Sequence, residues 1–133
     1  MTLGVRILAT NSKGEVALVR HTYVAGWHLP GGGVDKGESC DAAVVRELFE
    51  ETGLKPHSRP VLVGLYFNSK ISKRDHVALY RCETDDAIGS KLPDREIAEA
   101  RFFSLDELPT DLSGGTRRRL AEMFDDKAMS NDW

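Results

Sequence analysis

Branched apolar residues open the chain in two runs, 3–9 and 16–20, parted by Asn11-Ser12-Lys13-Gly14, residue types that favour a tight turn. The pattern predicts an N-terminal β-hairpin. Residues 60–67 and 76–82 are strand-like again, and the polar stretch 68–75 between them reads as a second hairpin loop. A short strand is predicted at 100–103, ahead of a turn in 104–109. Between the two groups of strands the spacing becomes helical. Residues 39–52 read as a helix, with Ser39 as its N-cap and Gly53 at the left-handed position that ends it. A Gly-rich loop, Pro30-Gly31-Gly32-Gly33, lies before that helix, and a closing helix over 116–124 spaces Leu120, Met123 and Phe124 on one side. Strands grouped around one helix, with a second helix at the end, predict a single mixed α/β domain over 1–133 with helices packed on a sheet.

Composition narrows this further. A chain of 133 residues has room for one core, and 41% hydrophobic with 29% charged residues excludes collagen-like and strongly disordered classes. Lys and Arg total 18 against 21 Asp and Glu, so no bulk positive charge is available to grip a long nucleic acid. Any phosphate the protein handles needs local help. No run reaches the roughly 18 apolar residues of a membrane span. The opening stretch has neither a basic flank nor a long apolar segment, so a cytoplasmic chain that starts near Met1 and has no membrane partner is expected. Cys40 and Cys82 form no CxxC pattern, which suits a reducing compartment and spells neither a zinc site nor a disulfide framework.

The first helix carries the chemistry. At about 100° per residue, with Glu47 at zero, Glu50 falls at about −60° and Glu51 at about +40°. Three carboxylates therefore share one narrow face, and Ala42, Val45 and Phe49, with Leu48 at the edge, are expected to form the core face opposite. Glutamates three and four apart repel by a few tenths of a kcal/mol. The helix dipole disfavours anions in the last turn by about 0.3–1 kcal/mol. Only Arg46 is near enough in sequence to offset this. Hard oxygen donors gathered at the unfavourable end of a helix make sense when a divalent cation such as Mg²⁺ sits on them. The glycines upstream let backbone approach a ligand. They match neither a Walker loop, since Gly37 is followed by Glu38 and Ser39, nor the dinucleotide fingerprint, which meets Lys36 where it needs glycine.

Taken together, the segment reads Gly32-x5-Glu38-x7-Arg46-Glu47-Leu48-x-Glu50-Glu51-x-Gly53-Leu54. It resembles the Nudix box, Gx5Ex7REUxEExGU with U aliphatic, and all nine defined positions match over 23 of the 133 residues. Residues 27–32 and 103–109 are similar to the flanks of that family, so the resemblance covers most of the chain. It implies an α/β/α sandwich with a mixed β-sheet. It also implies hydrolysis of a nucleoside diphosphate linked to a moiety X, releasing a nucleoside monophosphate and phospho-X. Carried over, Glu47, Glu50 and Glu51 would hold Mg²⁺ (or Mn²⁺) with the backbone carbonyl of Gly31. Arg46 and Glu38 would be a supporting pair, with Leu48 and Leu54 in the core. Cleaving a pyrophosphate needs its charge neutralised and a base for the attacking water. Glu96, in the acidic stretch 94–99, is the preferred base, with Glu99 and the helix glutamates as alternatives.

Other residues are open to two readings. His28 either faces the ligand or is structural. Trp27 and Tyr66 either stack on a base or pack in the core. Lys70, Lys73 and Arg74 lie in a loop that either reaches a distal phosphate or is solvated, and Arg117, Arg118 and Arg119 are expected to face water. The residues that mark substrate subclasses of the resembled family are not matched, so a small nucleotide or nucleotide-sugar diphosphate is the expected partner, with a homodimer also common in that family. The rivals are a catalytically silent nucleotide-binding module, against which the intact glutamates argue, and isomerase chemistry, for which Cys40 is a poor thiol.

Overall fold

A computed structural model describes residues 2–88, 97–125 and 127–133. In chain order the elements are β1 (Thr2–Thr10), β2 (Val16–His21), β3 (Trp27–His28), β4 (Gly31–Gly33), α1 (Cys40–Thr52), β5 (Val61–Phe67), β6 (Asp75–Glu83), β7 (Ile97–Phe103) and α2 (Gly114–Phe124). The strands form one mixed sheet in the order β3-β2-β1-β6-β5, with β4 also pairing β1 and β7 also pairing β2. β1 alternates between the two faces. Val5, Ile7 and Ala9 point into a cluster with Ala43, Val44 and Leu48 of α1, while Leu8 joins the opposite cluster with Leu120 of α2. One helix on each face gives the expected α/β/α sandwich.

The predicted N-terminal hairpin is there, but it opens at once. β1 and β2 pair only at Thr10 with Val16, where Asn11 Oδ1 accepts from the amides of Lys13 and Glu15. Over its length β1 pairs in parallel with β6, from Thr2 with Asp75 to Thr10 with Glu83. Its other edge takes up β4, with Gly4 opposite Gly33, Val5 opposite Gly32 and Arg6 opposite Gly31. The Gly-rich segment is thus a short antiparallel strand rather than a loop. With no side chains on either of its faces, it leaves room for a helix to press close beside β1.

The second hairpin, β5 with β6, keeps the expected pairing, with a bulge between Leu62 and Gly64. α1 begins at the Ser39 cap, whose Oγ accepts from the Ala42 amide, and ends at Gly53 with φ 76°. Its buried residues are Ala43, Val44, Leu48 and Thr52, whereas Val45 is 42% and Phe49 47% exposed. The expected core face of Ala42, Val45 and Phe49 is therefore wrong. The sheet lies on the side of Val44 and Leu48, next to Glu51 and about 110° round from where the apolar residues suggested. Val45 and Phe49 instead line an open apolar groove with Pro56 and Pro60.

Arg119 also departs from expectation. Its side chain is fully buried, with its guanidinium 4.0 Å from the Tyr66 ring centre and 5.0 Å from that of Trp133. It donates to Glu122 Oε2 at 2.9 Å and to the carbonyls of Asp132 and Trp133. The last residues are thereby tied to the sheet, where the Trp133 amide donates to the Phe67 carbonyl at 2.8 Å. Arg117 and Arg118 are exposed, as expected. Among the described residues no helix is long and apolar enough to cross a membrane.

Candidate active site

α1 lies against β4, and the contact between them is made by a glutamate on glycine. A Cβ at Gly32 would stand 2.6 Å from Glu47 Oε1, so a side chain there would push the carboxylate out of its present position. At Gly31 a Cβ would overlap the carbonyl oxygen of Val5 across the strand pair. The Gly31 amide donates to Glu51 Oε1 at 3.0 Å. Two of the three helix carboxylates thus meet the backbone of the glycine strand, and Glu50, with 52% of its side chain exposed, stands at the rim.

Arg46 organises the rest. Its Nε and Nη2 grip Glu38 at 2.7 and 2.8 Å, its Nη1 reaches Glu47 at 2.9 Å and Glu50 at 3.3 Å, and its Nη2 also donates to the Gly33 carbonyl at 3.1 Å. The structure brings Arg46 and Glu38 together and sets Glu47 and Glu51 against the glycine strand, with Glu50 at the rim. One guanidinium fork ties the helix, the glycine strand and the N-cap loop into a unit. The hydrogen bonds from Arg46 hold the Glu38 carboxyl down at about 2, helped by the Asp35 amide. Glu47 shifts the opposite way. Burial raises its pKa despite the hydrogen bond and charge of Arg46. A buried carboxylate that one arginine does not fully compensate is short of positive charge.

That deficit is the observation against which a divalent cation can be tested. Among the described residues no three carboxylate, imidazole or thiol groups converge as a ready-made cage. Mg²⁺ does not require one, because it keeps several waters and binds through one or two carboxylates plus the oxygens of a phosphate substrate. The hard, acidic edge formed by Glu47, Glu50 and Glu51 fits such an ion.

The remaining candidates separate cleanly. Trp27 and Tyr66 are 5% and 1% exposed and pack in the core, which decides against base stacking. His28 is half-buried and within 3.3 Å of the Ala25 carbonyl, and burial lowers its pKa. Glu96 lies outside the described residues. Glu99 is on β7, where Arg20 and Arg101 pair with it at 3.3 and 3.5 Å. Sequence reasoning missed Arg6, which donates to the Leu29 carbonyl at 2.7 Å and is close enough to Glu51 and Glu47 for their charges to interact. Its signal was a single arginine inside an apolar strand, a residue that needs a reason to be there.

The sequence profile of the NUDIX domain matches residues 1–124. Among curated proteins, the chain is 37% identical over 76 residues to a putative 8-oxo-dGTP diphosphatase of Bacillus subtilis, covering 57% of this chain and 50% of that protein. It is 44% identical over 82 residues to an ADP-ribose pyrophosphatase of Methanocaldococcus jannaschii, covering 61% of this chain and 47% of that one. The chain spans about half the length of these two relatives. Among solved structures, the MutT protein of Methanosarcina mazei superimposes with a TM-score of 0.73 at 26% identity, covering 94% of this chain and 93% of that one. A carboxylate helix locked by one arginine to a glycine strand, in a sandwich whose sequence profile spans nearly the whole chain, has one consequence for classification: the chain belongs to the NUDIX family of hydrolases.

Proposed function

We propose that this protein is a Mg²⁺-dependent pyrophosphohydrolase. It cleaves a nucleoside diphosphate linked to X into a nucleoside monophosphate and phospho-X. The observation that carries this reading is the Arg46 fork, which holds Glu38, Glu47 and Glu50 against the glycine strand while Glu51 is held by the Gly31 amide. Glu47, Glu50 and Glu51, with the carbonyl of Gly31, are the groups that would hold Mg²⁺ or Mn²⁺. When bound, such an ion neutralises charge on the two phosphates and acidifies the attacking water.

The chain's own residues do the rest. Arg46 fixes the carboxylates in place before substrate arrives, so no reorganisation is needed during the reaction. The glycine strand has no side chains to hold phosphate oxygens away from the backbone. Water adds its oxygen to one phosphorus and the bond from that phosphorus to the bridging oxygen breaks. The carboxylate of Glu96 takes the proton of the water.

The test is release of nucleoside monophosphate from a panel of nucleoside triphosphates, nucleotide sugars and dinucleotides with Mg²⁺ and with chelator. Turnover should require the metal. Glu50→Gln and Glu51→Gln should each abolish it while the fold stays as stable as wild type or slightly more so, because like-charge repulsion on α1 is relieved. Near-normal activity in either variant refutes the metal assignment, and binding without turnover would identify a silent module.

A further inference from the structure

Between β3 and β4 the chain passes through Leu29 and Pro30, and both backbone polar groups of Leu29 are taken by side chains. Its amide donates to Thr116 Oγ1 at 3.1 Å, and its carbonyl accepts from Arg6 Nη1 at 2.7 Å. The Pro30 carbonyl accepts from the Ile7 amide at 2.9 Å, and the Gly31 amide donates to Glu51 Oε1 at 3.0 Å. Proline has no N–H of its own. Four successive backbone groups are therefore held from four places: the first turn of α2, an arginine side chain of β1, the backbone of β1 and the last turn of α1. This short turn is where the two helix layers are joined.

The α2 side of the joint is rigid. Leu29 is 0% and Thr116 1% exposed, so water cannot replace the hydroxyl as partner of the Leu29 amide. The hydroxyl is itself set, because Ser113 Oγ donates to it at 2.8 Å while accepting from the Thr116 amide as the cap of α2. Alongside, the Trp27 amide donates to the Asp111 carbonyl at 2.9 Å and the Ser113 amide to the Trp27 carbonyl at 2.8 Å. Arg6 closes the turn from β1. A Cβ at Gly31 would stand 2.8 Å from its Cδ, so the arginine stem lies over Gly31 itself. The other end of the joint is the site. Pro30 C=O and Gly31 N–H belong to one peptide plane, held by Ile7 on one side and Glu51 on the other. Whatever fixes that plane also fixes the Glu51 carboxylate and the direction in which the chain leaves toward the Gly31 carbonyl.

We propose that Thr116 and Arg6 are positioning residues for the carboxylate edge: by holding Leu29 they fix the Pro30–Gly31 peptide against Glu51, so that the first turn of α2 sets the geometry of a site built on α1. This rests on the pyrophosphohydrolase reading above, in which Glu51 and the Gly31 carbonyl are among the groups that hold the cation. Thr116 carries no charge, and its hydroxyl is engaged by Leu29 and Ser113. Its influence on the carboxylates is carried by the backbone.

The test uses Thr116→Val, which keeps the branched shape and removes the acceptor, and Thr116→Ser, which keeps the hydroxyl. Three quantities are read well below the unfolding temperature: hydrogen exchange of the Gly31 amide, Mn²⁺ affinity of the nucleotide-free protein by electron paramagnetic resonance, and kcat and KM with Mg²⁺. In Thr116→Val the Gly31 amide should exchange about tenfold faster or more, as the turn opens locally. Mn²⁺ affinity and kcat should each fall about tenfold or more, the usual weight of a group that orients a metal ligand, with KM little changed. Thr116→Ser should stay near wild type. Arg6→Met should speed exchange at Gly31 likewise; its metal affinity is not compared, because the substitution also removes a charge felt by Glu51 and Glu47. A lower Tm in Thr116→Val with exchange, Mn²⁺ affinity and kcat all as in wild type shows that the hydroxyl serves folding alone and overturns the proposal, as does a loss that Thr116→Ser shares in full. If Thr116→Val does not fold, Arg6→Met decides: unchanged exchange at Gly31 refutes the positioning role. Wild type that binds no Mn²⁺ and turns over no nucleotide refutes the pyrophosphohydrolase reading and this proposal with it, whereas an active wild type matched by its variants refutes this proposal alone.

Discussion

Replacing Arg119 with methionine probes the arrangement that ties the C-terminal residues to the sheet. The arginine side chain is 0% exposed and that of its partner Glu122 is 6% exposed, so neither charge is screened by water. Glu122 also accepts from the Tyr66 hydroxyl at 3.1 Å and from the Ser130 amide at 3.0 Å. Methionine keeps most of the stem volume and touches both rings, which returns part of the lost cation–π attraction as sulfur–aromatic contact. What it cannot return is the charge. Glu122 is left as a buried carboxylate with two neutral donors, and removing one partner of such a pair costs about 3–5 kcal/mol. For a chain of this length, an unfolding entropy of about 2.1 cal/mol/K per residue converts that loss to a Tm drop of roughly 10–18 °C. Calorimetry and urea unfolding of Arg119→Met, Glu122→Gln and the double variant form a thermodynamic cycle. The side-chain amide introduced by Glu122→Gln still accepts from the Ser130 amide without carrying charge, so the double variant should be more stable than Arg119→Met alone. The reasoning fails if Arg119→Met stays within about 1 kcal/mol of wild type, or if the two single effects simply add.

Four further outcomes follow from the site and the core. Glu38 titrates at about 2 in the folded protein against an ordinary 4.5, so the stability it contributes is full above the unfolded value and is lost as pH falls through the folded one. The stability gap between wild type and Glu38→Gln should accordingly close between about pH 5 and pH 2, and a gap independent of pH would count against the Arg46 pair. Arg46→Ala should lower Tm and kcat together, because it frees Glu38 and Glu47 at once; unchanged values of both would refute the fork's role. Glu96→Gln should reduce kcat by about 10²–10⁴-fold with metal affinity little changed, while Glu99→Gln, whose carboxylate is already paired with Arg20 and Arg101, should have a small effect. A large loss only in Glu99→Gln would move the base onto β7, and near-normal rates in both would return it to the helix. In α1, Leu48→Ala should cost about 2–5 kcal/mol and Phe49→Ala less than about 1 kcal/mol, since nearly half of Phe49 is in water; equal losses in urea unfolding would show that the buried face is assigned wrongly.

Local chemistry determined much of this protein without any tertiary information. Ser39 and Gly53 bound α1 because a side-chain cap and a left-handed residue act within one turn. The spacing of Glu38, Arg46, Glu47, Glu50 and Glu51 brought the site together because helical periodicity and one short loop span all five. What the sequence left undecided depends on which surfaces meet. Apolarity placed Val45 and Phe49 in the core, yet the sheet packs on the side of Val44 and Leu48, next to Glu51, where glycines in β4 make space for carboxylates. Periodicity cannot report that space, because it belongs to another element. The same holds for β1, whose apolar residues suit either a hairpin or a central strand until β6 and β4 compete for its edges. Arg119 is the plainest case: within RRR on a terminal helix it reads as solvated, and only the arrival of Tyr66, Glu122 and Trp133 around one guanidinium makes burial cost less than exposure.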